Sequence, residues 1–242
     1  MDVATGDSVT PMHWSFEVCA ESARACRIAE EGGATRVELC ARLDVGGVTP
    51  SVQLIQECVA ATSLPVHGMV RPRGGSFVYS NSEFAEMEDS VRMARGLGLR
   101  GVVFGLLLEN GSVDIARTSS LVALAKADGL EVTFHRAIDE ASLIFEALED
   151  AIACDVHRIL TSGGVVDVIH GADTLVEMRR RSAGRVVVAA GGGVRVSNVP
   201  LLVEMGLLDL HGTLAANGAV RAKDVRAVVE ALHAGVQGPV RP

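Results

Sequence analysis

Val66-His67-Gly68-Met69-Val70-Arg71-Pro72-Arg73-Gly74-Gly75 is a short apolar segment that runs straight into two arginines and a glycine turn. An isolated strand has no need of such a tip. The same order recurs at Phe16–Cys19, Val37–Cys40, Gly101–Gly105, Val132–Arg136, Arg158–Gly164, Val186–Gly193 and Leu208–Gly212. Each segment carries its polar or glycine residues at the C-terminal end. Between them lie segments of helical periodicity, expected over 21–31, 51–61, 83–95, 114–127, 142–153, 174–181, 197–204 and 222–234. Gly32-Gly33 offers the first helix a left-handed exit, and Ser51 offers the second an N-cap.

Strict strand–helix alternation with short loops predicts an α/β fold, a single-domain (β/α)8 TIM barrel. The 242 residues match the roughly 250 such a barrel uses. An open doubly wound sheet is the competing architecture. Cys19-Ala20-Glu21-Ser22, which follows the first strand, lacks the glycine fingerprint of that fold's nucleotide loop, so no nucleotide cofactor is expected. The domain is expected over 14–235, with loose tails at 1–13 and 236–242.

Aromatic content is only 3%, so small aliphatic residues must fill the core. The net charge is −8 and the single basic block is Arg179-Arg180-Arg181, which argues against nucleic acid or an anionic membrane as partner. No apolar run approaches the roughly 20 residues of a membrane span, and the N-terminus lacks a charged-then-apolar leader pattern. Five widely spaced cysteines do not form a disulfide framework, which points to free thiols in the cytosol.

Side chains alternate along a strand, and the outer face of a barrel must be apolar where helices cover it. Phe16, Val18, Val37, Leu39, Val66, Val70, Val132, Phe134, Leu208 and Leu210 therefore face outward. That parity sends Glu17, Cys19, Glu38, Cys40, His67, Met69, Arg71, Thr133, His135, Asp209 and His211 inward. Buried charges need partners. The cations considered for the two glutamates are Arg71, Arg73 and Arg136, and Arg71 is expected to pair with Glu38.

Two chemistries fit such an interior. In the first, Cys19 and Cys40 on strands roughly 4.8 Å apart share a copper(I) ion, with Met69 as a further soft donor. In the second, the mouth is an acid–base site for a small sugar-like or phosphorylated molecule. Glu17, Glu38, His135 and Asp139 would then be its catalytic groups. Arg71, Arg73, Arg136, Thr161 and His211 would hold the substrate, and Gly191, Gly192 and Gly193, ahead of a helix start at Ser197, would cradle a phosphate. No lysine lies at a strand end, which argues against Schiff-base chemistry.

Glu17-Val18-Cys19, Arg36-Val37-Glu38-Leu39-Cys40, Gly46–Ser51, Arg71–Gly75, Phe77–Ser80, Gly101–Gly105, Thr133–Ala137, Leu160–Gly163 and Gly191–Gly193 resemble, in order, the CutC family. Ser76, Ile138, Glu140 and Leu106-Leu107-Leu108 depart from its usual pattern. The resemblance implies a cytosolic barrel named for copper homeostasis, with copper(I) bound at the two strand cysteines. It leaves room for a homo-oligomer.

Overall fold

β-branched and aromatic runs bounded by glycine and polar turns form the strands, and capped amphipathic segments form the helices. The computed structural model describes residues 13–214 and 220–237. Its strands are β1 (Ser15–Ala20), β2 (Arg36–Leu39), β3 (Val66–Met69), β4 (Gly101–Phe104), β5 (Glu131–Phe134), β6 (Arg158–Thr161), β7 (Val187–Gly191) and β8 (Asp209–Gly212). Its helices are α1 (Ala23–Glu31), α2 (Val52–Val59), α3 (Asn81–Ala94), α4 (Ile115–Ala127), α5 (Ile144–Ala153), α6 (Ala172–Ser182), α7 (Val199–Glu204) and α8 (Ala222–Gln237). All strands are parallel and close in chain order, with β8 returning to β1, so the chain is a (β/α)8 barrel.

Local chemistry sets the helix ends. The Ser51 hydroxyl accepts from Leu54 N at 3.2 Å. Ser80 and Glu83 form a reciprocal capping box at the start of α3. Gly33, at φ 86°, makes the left-handed exit after α1. The last helix runs three residues beyond its expected end at Ala234. Gly235, which looks like a breaker in sequence, gives α8 a close approach to α7, because a Cβ there would stand 2.6 Å from Val203 Cγ1. Residues 1–12 and 238–242 of the expected tails lie outside the described residues.

Two layers of side chains follow from strand parity. Phe16, Val18, Val37, Leu39, Val66, Val102, Phe104, Val132, Phe134, Ile159 and Leu210 pack outward beneath the helices. A much smaller cluster of Cys19, Cys40, Met69 and Val103 fills part of the interior. The register sets Cys19 opposite Glu38, Glu38 opposite His67, and Glu17 opposite His211. Polar residues from separate parts of the chain thus converge inside one barrel.

Gly191 leaves little room in the barrel wall. A Cβ there would meet Leu160 Cδ1 at 2.5 Å and His211 Cβ at 3.2 Å. Gly191→Ala is expected to destabilise the fold by roughly 1–3 kcal/mol through overpacking. Urea unfolding measures this, and an unchanged midpoint would mean that Leu160 moves aside freely.

Candidate functional site

Glu17, on β1, is fully buried. Burial alone would raise its pKa, but Arg158, Arg36 and His211 hold the carboxyl well below the ordinary range. Arg158 Nη1 donates to Oε1 at 2.8 Å and Arg36 Nε to Oε2 at 2.6 Å. His211 Nδ1 lies 2.7 Å from Oε1. Arg158 also donates to Asp209 Oδ1 from Nε and Nη2, at 3.0 and 2.6 Å. Arg36 and Arg158, the cations that compensate Glu17, are absent from the sequence-based site. Their signal was available, since the parity that turns Glu38 inward also turns Arg36 inward.

At the C-terminal ends of the strands lies a cavity of about 220 Å³, with Cys19, Glu38, His135, Arg136, Arg195 and His211 among its lining residues. Glu38 is buried; its Oε1 accepts from Cys19 Sγ at 3.6 Å, and Oε2 has no hydrogen-bond partner among the described residues. Burial raises the Glu38 pKa; His211 opposes that and the charge on Glu17 adds to it. The two glutamates therefore differ sharply, because Glu17 is locked as an anion in the ion cluster while Glu38 faces the cavity. Burial also works against a charge on His211, but Glu38 and Glu17 outweigh it and raise the His211 pKa.

His135 stands at the end of β5. Its Nδ1 accepts from Ala137 N at 3.2 Å, which places the proton of the neutral ring on Nε2. That Nε2 is buried and has no partner among the described residues. Burial, reinforced by the nearby Arg71 charge, lowers the His135 pKa to about 3, so the ring is neutral at pH 7. The cavity thus carries two imidazoles whose pKa values move in opposite directions, that of His135 down and that of His211 up.

The thiols of Cys19 and Cys40 are 3.5 Å apart, both buried, with Met69 in the same interior cluster. The Cys40 contact, burial and the neighbouring Glu38 all push the Cys19 thiol up. Ligand atoms of Cys19, Glu38 and His211 lie within 4.8 Å of one another. The donor set suits a soft ion held by sulfur with a histidine alongside. The Glu17–His211 bond is the outer-shell contact that would orient such a histidine.

Other expected residues serve the scaffold. Arg71 lines the cavity but does not pair with Glu38. Its guanidinium donates to the carbonyls of Val45, Gly47 and Gly75 at 3.2, 3.1 and 2.8 Å and lies 4.5 Å from the Phe77 ring centroid. Arg71 follows the end of β3, so its reach extends to the loops around Val45 and Gly75 rather than across the barrel. Arg73 is absent from the cavity lining. It pairs with Glu83 at 2.6 Å and donates to Ser76 O and Val78 O, tying its loop to the start of α3.

Asp139 also lies outside this cavity. Its carboxylate accepts from Arg136, Thr161, Ser162 and Gly164, so it fastens the loop after β6. Thr161 spends its hydroxyl on that carboxylate. Gly191 belongs to the wall, whereas Gly192 and Gly193 line the cavity. The helix expected from Ser197 begins at Val199 and has six residues. Asn198 ties its entry by accepting from Arg195 N and donating to Gly193 O.

A closed parallel barrel with a polar pocket at the C-terminal strand ends defines the TIM-barrel class, in which that face carries function. The family model described as "CutC family" matches residues 14–216. The family protein CutC of Porphyromonas gingivalis is 42% identical over 204 residues, 84% of this chain and 82% of its own. That of Chromobacterium violaceum is 44% identical over 199 residues, 82% and 80% of the two chains. A crystal structure of CutC from Streptococcus agalactiae superposes with a TM-score of 0.77 at 30% identity, covering 83% of this chain and 99% of that one. The chain belongs to the CutC family. A 4-hydroxy-2-oxoglutarate aldolase shares only the fold, at 18% identity and a TM-score of 0.57.

Arg158→Met removes one partner of a buried charge and is expected to cost roughly 3–5 kcal/mol. The folded pKa of Glu17 is depressed, so its stabilisation is complete above the ordinary carboxylate value of roughly 4.3. It disappears as pH falls through the depressed value. Losing Arg158 weakens the depression, so the acid-unfolding midpoint moves to higher pH. Circular dichroism against pH reads the shift, and superimposable curves would remove Arg158 from the support of Glu17.

Proposed function

We propose that this CutC-family protein binds copper(I) through Cys19 and Cys40 in the cytosol. One observation carries the reading: two buried thiols on neighbouring strands touch at 3.5 Å, beside Met69. Thiolate and thioether sulfur favour copper(I) over harder ions. Binding would displace both thiol protons and leave one net negative charge on two thiolates and one monovalent ion. The His211 ring, with a nitrogen within 4.8 Å of the Cys19 sulfur, stands beside that site. Five free thiols suit a reducing compartment. No described helix is long and apolar enough to cross a membrane. The Streptococcus agalactiae relative is provisionally named a copper homeostasis protein.

A second reading rests on a separate observation. Glu38 Oε2 and His135 Nε2 are buried, lack partners among the described residues, and belong to side chains that line one cavity. Copper(I) held by sulfur has no use for either. Together with His211 they form an acid–base set able to move a proton on a bound small molecule. Glu17 and Asp139, whose carboxylates are held in internal contacts, act here as positioning residues for His211 and for Arg136.

The copper reading is tested by titrating the reduced protein with copper(I) under argon against a competing chelator. Uptake of about one ion is expected, with Cys19→Ser and Cys40→Ser each weakening it by roughly tenfold or more. If both variants compete like the wild type, the thiols are packing residues.

A further inference from the structure

The cavity at the strand ends has chemistry that selects a ligand. His135 and Glu38 are 4% and 3% exposed, so an orphan polar atom on either is costly unless a ligand meets it. Their hydrogen-bond characters are opposite while Glu38 is ionised. The Ala137 N–H bond to His135 Nδ1 makes Nε2 a donor. Glu38 Oε2 is an acceptor when ionised and a donor when protonated. A hydroxyl group serves both, since it accepts from an N–H and donates to a carboxylate. An apolar ligand would leave both atoms unmet.

The cavity lining also carries cations. Arg136 and Arg195 line the cavity together with Gly192 and Gly193. A Cβ on Gly192 would stand 3.4 Å from Arg136 Cζ and Nη1, so the guanidinium lies directly against the glycine backbone. A side chain there would crowd that contact, and at φ 108° the backbone also disfavours one. Arg136 is held by Asp139 at 2.7 Å and by Ser162 Oγ at 2.8 Å. It is thus pre-oriented, and its side chain remains 43% exposed for a charged ligand to approach. Phe77, Leu160 and Val194 supply apolar lining between the polar groups.

We propose that the cavity binds a small hydroxylated organic anion, with its carboxylate or phosphate against Arg136 and the Gly192–Gly193 backbone and its hydroxyl between His135 and Glu38. This rests on the acid–base reading of the same cavity and is independent of the thiol pair. The volume of about 220 Å³ suits a compact molecule. The anion meets Arg136 Nη1 on a guanidinium fixed through Nε and Nη2 by Asp139 and Ser162, and the hydroxyl satisfies both buried atoms.

The test uses the metal-free, reduced full chain and four probes measured by calorimetry. Glycerate and glycerol 3-phosphate carry both features, propionate only the anion and glycerol only the hydroxyls. Glycerate or glycerol 3-phosphate is expected to bind about tenfold or more tightly than either single-feature probe. The better of the two identifies the anionic group. Arg136→Gln should weaken that binding by about tenfold or more, and His135→Gln should erase the preference over propionate. Arg180→Gln, outside the cavity, serves as the control, and thermal melts establish that each variant is folded. Equal binding of all four probes, no binding, or binding indifferent to Arg136→Gln in folded protein overturns the proposal. Deuterium exchange at the carbon next to the carbonyl of dihydroxyacetone phosphate and of its deoxy analogue acetol phosphate, followed by NMR, separates the two readings. Selective binding without exchange upholds the ligand class and counts against proton transfer. Exchange with no dependence on hydroxyl or Arg136 upholds proton transfer and overturns the ligand class.

Discussion

A carboxylate buried at the centre of a barrel cannot stand alone. Glu17 is compensated by Arg158 from β6, Arg36 from β2 and His211 from β8, and Arg158 reaches Asp209 as well. Four strands are therefore joined through the interior by charge rather than by apolar packing. Such a cluster contributes little net stability, because desolvation offsets much of the attraction, but breaking it strands a charge. It acts as a register device. With any of these strands displaced by one residue, the charged groups would face the helices and the apolar groups would face the interior.

The same cluster shapes the mouth. Glu17 holds His211 by Nδ1, which turns the remainder of the ring toward Cys19 and Glu38. Glu38 forms no ion pair with these cations, so burial raises its pKa whereas that of Glu17 falls. His135 lies beside Arg71 and stays neutral, while His211 lies between two glutamates and holds a proton more tightly. Two carboxyls are thereby shifted in opposite directions, and so are two imidazoles, by their surroundings alone. The thiol pair lies at the edge of this arrangement. Its Cys19 and the neighbouring Met69 also line the polar cavity.

Much of the polarity at the strand ends is architectural. Arg73 clamps its loop to α3 through Glu83, the residue that also caps that helix. Asp139 gathers the loop after β6 through Thr161, Ser162 and Gly164, and in doing so fixes Arg136 at the cavity. Arg71 spends Nη1 and Nη2 on three loop carbonyls. A long arginine two residues beyond a strand end commands a large sphere of acceptors, and carbonyls close in space can outcompete a carboxylate farther away.

Strand–helix alternation and side-chain parity belong to the sequence itself. Periods of two and 3.6 are local properties, and they suffice to order eight strands and to place Glu17, Cys19, Glu38, Cys40, His135 and His211 inside. The ends of elements are less local, as Gly235 shows by serving α8–α7 packing rather than ending the helix. Partner choice was not legible in the sequence. That Glu17 takes Arg158, 141 residues away, and that Asp139 serves the β6 loop rather than the cavity, depends on distances set by barrel closure and stagger. Parity says which way a side chain points, while only the closed tertiary structure decides what it meets there.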